Sequence, residues 1–402
     1  MADDIFNNLF SANQDLFRST VEAIDDESKL KIFKWLNYEG PFPYPKSIHL
    51  NLTLRCTAKC NNCKQWTWPD HKEFSPDQLS QLFQTFKSWG VQSVTFGGGN
   101  PLLYEHVILA LKLAHEANIE IGIITEGINL SEDLAFAISK YANWIRFSLD
   151  GPNANIHDRL RNTLGLFNQV MANIARLKNS ESQLLIGINC VIQKGNILWL
   201  SEMVELAERI GINTLSFKVP HGKYLAGITI PSQSEWDEVI RWAQSAAENG
   251  NQLVTNIKTL NSLMETVFLK DDLTLGTPVS TFYVKESIHC FAPFLFLTCD
   301  SEGNIFPCDY LQADTRPWKG HYGAMRSEFC LGNILEDSQK VLTNLANAMR
   351  NRIHNLPASG YEECGCCTRF CQLNSTFTHL NKQFNLGQIL EFSTKSNDLL
   401  FL

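Results

Sequence analysis

The sequence predicts an α/β protein: parallel βα units over residues 47–230, then a smaller cysteine-rich α+β domain over 288–402. Three observations predict it. Hydrophobic patterning switches repeatedly between period two and helical spacing. Six strand-like runs alternate with helical stretches of ten to fifteen residues. The twelve cysteines are clustered, with three in 56–63, four in 290–330 and four in 364–371, leaving only Cys190 alone.

Residues 1–46 read as a helical extension that stops at the proline-spaced Gly40-Pro41-Phe42-Pro43-Tyr44-Pro45. From Ser47 to Leu54 the chain alternates, with Ile48, Leu50, Leu52 and Leu54 on one face and Ser47, His49, Asn51 and Thr53 on the other, which predicts a strand. Ser75-Pro76-Asp77 offers an N-cap with proline at the first helical position, followed by Leu79, Leu82, Phe83 and Phe86 at helical spacing. The unit then repeats. Strands are expected at Val91–Phe96, Ile119–Thr125, Trp144–Asp150, Leu184–Ile192 and Thr214–Val219, and helices near 104–117, 131–141, 165–178 and 198–210. Such alternation specifies a parallel sheet, open or rolled into a partial barrel, with functional residues just past the strand C-termini. Residues 231–287 read as a helical linker, including a helix at 234–247; strands at 294–298 and 304–306 and a helix at 336–355 complete the reading.

Composition narrows the function. A net charge of −8 and the absence of a basic run exclude nucleic acid as the main partner. No signal peptide opens the chain and no stretch is long and apolar enough to span a membrane, so a cytoplasmic setting with reduced thiols is expected. Clustered cysteines there read as metal ligands.

The first cluster, Cys56-x3-Cys60-x2-Cys63, lies on the loop leaving the first strand. Three thiolates suit a structural zinc, or three irons of a 4Fe–4S cluster whose fourth iron stays open to a substrate or cofactor. Later strand ends carry Gly97-Gly98-Gly99-Asn100-Pro101, Thr125-Glu126-Gly127 and Ser148-Leu149-Asp150-Gly151, with Asn189 on the fifth strand. Glycines there let a ligand approach the backbone, and the hydroxyl and carboxylate of Ser148 and Asp150 suit a ribose.

On these motifs residues 47–220 resemble the radical S-adenosylmethionine (radical SAM) enzymes. The resemblance implies a partial (β/α)6 barrel in which Cys56, Cys60 and Cys63 hold a catalytic 4Fe–4S cluster. The methionyl group of S-adenosylmethionine completes the open iron, and reductive cleavage yields a 5′-deoxyadenosyl radical that abstracts a substrate hydrogen. It also implies cofactor contacts from Gly98, Gly99, Asn100, Thr125, Ser148, Asp150, Arg161 and Asn189. Three residues depart from the family pattern: Asn100 replaces the glutamate of Gly-Gly-Glu-Pro, Glu126 the asparagine of Thr-Asn-Gly, and Asn62 the aromatic before the third cysteine.

The later cysteines resemble the auxiliary-cluster domains called SPASM and, in one-cluster form, twitch. This implies one auxiliary 4Fe–4S cluster on Cys290, Cys308, Cys364 and Cys367, with Cys371 as a substitute ligand; two clusters or a zinc site are the alternatives. Cys299, Cys330 and Cys366 read as core thiols, further ligands or hydrogen-atom donors, and His221, Lys223, Asp309 and Tyr310 as acid, base or substrate contacts. The family implies modification of a ribosomally made peptide (epimerisation, crosslink or excision) with a separate leader-binding protein, or oxidation or rearrangement of a small sugar-like or secondary metabolite. Flavodoxin or ferredoxin is the expected electron donor. A non-catalytic metal-binding scaffold is the third reading.

Overall fold

The computed structural model describes residues 44–60, 63, 72–180, 182–218, 232–248, 296–307 and 329–355. Its strands are β1 (Ser47–Thr53), β2 (Ser93–Gly98), β3 (Glu120–Thr125), β4 (Trp144–Ser148), β5 (Leu185–Val191), β6 (Thr214–Lys218), β7 (Phe296–Cys299), β8 (Asn304–Phe306) and β9 (Gly332–Asn333). The helices are α1 (Pro76–Ser88), α2 (Val107–Glu116), α3 (Glu132–Tyr141), α4 (Ala154–Arg161), α5 (Leu166–Lys178), α6 (Leu200–Arg209), α7 (Gln233–Glu248) and α8 (Ser338–Asn355).

The nine strands among the described residues form one sheet, in the order β6-β5-β4-β3-β2-β1-β7-β8-β9. Strands β1 to β6 are parallel and adjacent in chain order. Such a sheet has no point where the winding reverses, and right-handed crossovers then lay every intervening helix on the same face. Of the two arrangements left open by the sequence, this is the topology of a partial barrel. The C-terminal strands continue the sheet: β7 runs parallel to β1, placing Leu297 opposite Ile48 and Cys299 opposite Leu50, and β8 and β9 follow antiparallel.

Period-two alternation separates the faces. Ile48, Leu50 and Leu52 are buried on the helical side with Val94, Phe96, Ile145, Phe147, Ile186 and Ile188. There Phe96 meets the α1 residue Phe83 edge to face, with ring centroids 6.4 Å apart. The other face is polar, carrying His49 opposite Thr95, Ser148 opposite Asn189, and Asn189 opposite Ser216. The buried Arg146 guanidinium stands 5.6 Å from the Trp144 ring. Trp144 in turn lies against Gly122, where an added Cβ would fall 1.9 Å from the indole.

Local signals start the helices where the sequence placed them. Ser75 and Gln78 form a reciprocal capping box before α1, and Ser131 caps α3. Helix α4 is an addition to the sequence reading, which went straight from the fourth strand to a helix near 165. Asn153 caps it, and Asn162 ends it in the left-handed conformation at φ 50°.

Candidate functional site

The first three cysteines lie on the loop after β1, where neighbouring strand ends clasp them. The Gly99 N–H donates to the Thr53 carbonyl (2.8 Å) and the Asn100 N–H to that of Arg55 (2.8 Å), so the glycine run after β2 packs against the backbone entering Cys56. A Cβ on Gly98 would lie 2.2 Å from the Thr53 oxygen, at φ +103°, and one on Gly99 2.2 Å from the Arg55 oxygen. These glycines serve first to let two backbones touch. Arg55 adds a fork to Glu73 (2.8 and 3.0 Å) and a bond to the Leu103 carbonyl (2.7 Å).

Glu126, one residue past β3, holds the loop from the other side. Its carboxylate accepts from the Thr57 N–H (3.2 Å), the Thr57 hydroxyl (2.9 Å) and the Ala58 N–H (2.9 Å), with the Cys56 thiol 3.6 Å away. Burial, and next the Glu126 charge, push the Cys56 thiol well above the usual range. Burial also raises the Cys60 thiol, against the Arg161 cation. A metal bound at these thiols would lower both, because a coordinating thiol gives up its proton to the metal's charge.

Arg161 reaches the loop from α4. Its Nη1 lies 3.7 Å from Cys60 Sγ, and its Nε lies 2.6 Å from Asp150 Oδ2. Asp150 is fully buried, and its other oxygen accepts from the Val191 N–H at 2.8 Å. The carboxylate expected at a ribose is thus engaged in holding Arg161. The imidazole of His157 accepts from the Asp150 N–H at 3.0 Å.

Asn100 is fully buried, and its Oδ1 accepts from the Thr125 hydroxyl (2.7 Å) and the Leu102 N–H (3.3 Å). A backbone N–H can only donate, so the oxygen is identified, and Nδ2 is left without a partner. The sequence presents Asn100 as an acceptor for a methionyl amine. The structure commits that acceptor locally and leaves a donor instead, suited to a carboxylate.

Ser148 and Asn189 sit side by side, half-buried, at the ends of β4 and β5, and the Asn189 side chain accepts from Arg146 at 3.4 Å. Cys299 is fully buried and shares its face with Leu50, on the helical side, which makes it a core thiol in this fold. Cys330 is half-buried beside β9, and Cys190 is fully buried on β5. His221, Lys223, Asp309, Tyr310, Cys290, Cys308, Cys364, Cys366, Cys367 and Cys371 lie outside the described residues, as does Asn62. Glu126 was legible in the sequence only as a departure.

These residues fit an iron–sulfur cluster with a methionine-bearing cofactor. Among the described residues no three His, Cys, Asp or Glu side chains are gathered closely enough to hold one metal ion. The orphaned Asn100 amide provides a polar group for the cofactor.

The sequence profile of the Radical SAM superfamily matches residues 50–207, from β1 into α6. This stretch is a radical SAM domain. An AdoMet-dependent heme synthase of Nitratidesulfovibrio vulgaris is 27% identical over 285 residues, 69% of this chain and 77% of the relative. A PqqA peptide cyclase of Ruegeria pomeroyi is 27% identical over 180 residues, 44% of this chain and 48% of the relative. Among solved structures, Streptococcus suis SuiB bound to its precursor peptide SuiA superposes with a TM-score of 0.56 at 15% identity, over 81% of this chain and 70% of that one. That last likeness is one of fold. The superfamily's reagents are S-adenosylmethionine and a 4Fe–4S cluster, and among the described residues no helix is long and apolar enough to cross a membrane.

Proposed function

We propose that this radical SAM enzyme modifies a ribosomally made peptide. The observation that carries the radical chemistry in this reading is the loop Cys56–Cys63, held by Glu126 at one cysteine and by Arg161 at another, at the C-terminal ends of six parallel strands. When bound, the cluster and S-adenosylmethionine supply reductive carbon–sulfur cleavage and abstraction of a substrate hydrogen atom. Cys56, Cys60 and Cys63 hold three irons. The Asn100 amide donates to the methionyl carboxylate, and Ser148 and Asn189 flank the nucleoside. The polar sheet face, with Arg146 and His49, borders the substrate.

The PqqA peptide cyclase favours the peptide reading. Cys290, Cys308, Cys364 and Cys367, with Cys371 in reserve, would hold an auxiliary cluster that accepts the electron of an oxidised substrate; a flavodoxin or ferredoxin would supply the first electron. Delivery of the peptide by a separate leader-binding protein belongs to the same reading.

A second reading, oxidation of a small molecule, is favoured by the heme synthase, whose match covers more of this chain than that of the cyclase. It moves the small-molecule alternative from a sugar-like substrate toward a step of heme synthesis. Co-expression with short open reading frames beside the gene, followed by peptide mass spectrometry, separates the two. Loss of two hydrogens, or uptake of one deuterium from heavy water, supports peptide modification; unchanged peptides contradict it.

A further inference from the structure

Glu126 departs from the expected residue, and its surroundings show what a carboxylate does there. It is only 5% exposed. Oε1 accepts from the Thr57 N–H and hydroxyl, Oε2 accepts from the Ala58 N–H, and the Cys56 Sγ lies 3.6 Å from Oε2. The three donors of Thr57 and Ala58 are neutral and remain when Cys56 gives up its proton to a metal. An asparagine would offer one acceptor oxygen and no charge.

We propose that Glu126 is a positioning residue for the cluster of Cys56, Cys60 and Cys63: it fixes the 56–58 turn and places a negative charge against the Cys56 side, lowering the reduction potential. This rests on the reading that these cysteines hold a 4Fe–4S cluster. Reduction adds one electron from an external low-potential donor, taking the cluster from the 2+ to the 1+ state. No bond at Glu126 is made or broken, and no proton is transferred there. A buried carboxylate a few ångströms from the added charge opposes it, and screening is weak at such burial. Arg161, 3.7 Å from Cys60, acts with the opposite sign.

The test uses the full-length chain, reconstituted anaerobically, with iron counted and the reduced cluster followed by EPR during a dithionite titration. The relevant signal is the one that S-adenosylmethionine perturbs and that a Cys56/Cys60/Cys63 triple alanine variant lacks. Glu126→Gln keeps the size and one acceptor, and its midpoint potential is expected to shift positive; Arg161→Gln is expected to shift it negative. Glu126→Asp, which withdraws the charge by one methylene, shifts it positive by less. An unchanged or more negative midpoint in Glu126→Gln at full iron content overturns the proposal. If Glu126→Gln takes up no iron, Glu126→Asp decides in the same way, a positive shift supporting the proposal and no shift overturning it. A wild-type chain without the S-adenosylmethionine-sensitive signal removes the cluster reading itself, an outcome distinct from an unmoved potential.

Discussion

His157 and Arg161 stand one helical turn apart on α4 and grip the same residue, Asp150, the first by its backbone N–H at 3.0 Å and the second by its carboxylate at 2.6 Å. Spacing of i, i+4 puts both side chains on one face of the helix. Gly151 lets that helix approach, since a Cβ there would lie 2.6 Å from Ile156 and 2.7 Å from the His157 nitrogen. The result is a guanidinium only 11% exposed, carried from β4 to Cys60.

Breaking this pair should be costly. Asp150→Asn leaves a buried cation without its anion, an effect of about 3–5 kcal/mol, read as a lower denaturation midpoint of the full chain. Arg55→Gln removes a pair whose arginine is 51% exposed and should cost about 0–1 kcal/mol. Equal losses in the two variants would show that Asp150 and Arg161 are not a structural unit.

His157 should make the fold sensitive to acid. Burial, and next the Arg161 charge, push its imidazole down to about 3 from an ordinary value of 6.5. Between these values the unfolded chain binds a proton that the folded chain does not. Stability is therefore full above about pH 6.5 and falls on acidification, by about 1.4 kcal/mol per pH unit. His157→Asn does not titrate there, so between pH 7.5 and pH 5 it should lose about 2 kcal/mol less than wild type in chemical unfolding. Parallel losses would contradict the assignment.

The glycines after β2 give a steric prediction. In Gly99→Ala the new Cβ would meet the carbonyl oxygens of Arg55 and Leu54 at 2.2 and 2.6 Å, so the loop must move. Iron uptake by the Cys56–Cys63 segment should fall at least several-fold. Gly165→Ala, at φ +79° with nothing within 4 Å, should cost about 1–2 kcal/mol of backbone strain and leave iron uptake intact. Normal iron content in Gly99→Ala would show that the backbone contact does not shape the site.

Much of this was legible because it is local. Ile48, Leu50 and Leu52 announce β1 by alternation, and Ser75-Pro76 announces α1 by capping chemistry. The cysteine spacing and the strand-end motifs marked the site's position along the chain. Contacts between distant segments could not be read. Nothing near Phe296 says that β7 will pair with β1, and the two residues of β9 carry no period. Asp150 and Asn100 were recognised by type, but a carboxylate does not announce whether it will meet a ribose or Arg161, and an amide does not reveal which of its ends will be occupied. Glu126 shows the same limit, since its partners Thr57 and Ala58 are 69 and 68 residues away.

The central claim is that Cys56, Cys60 and Cys63 make this chain a reductive S-adenosylmethionine cleavage enzyme. The measurement is product analysis after anaerobic reconstitution and addition of dithionite and S-adenosylmethionine. Equal amounts of 5′-deoxyadenosine and methionine are expected from wild type, and neither from the triple alanine variant. A fully iron-loaded wild-type chain that leaves S-adenosylmethionine intact would contradict the account.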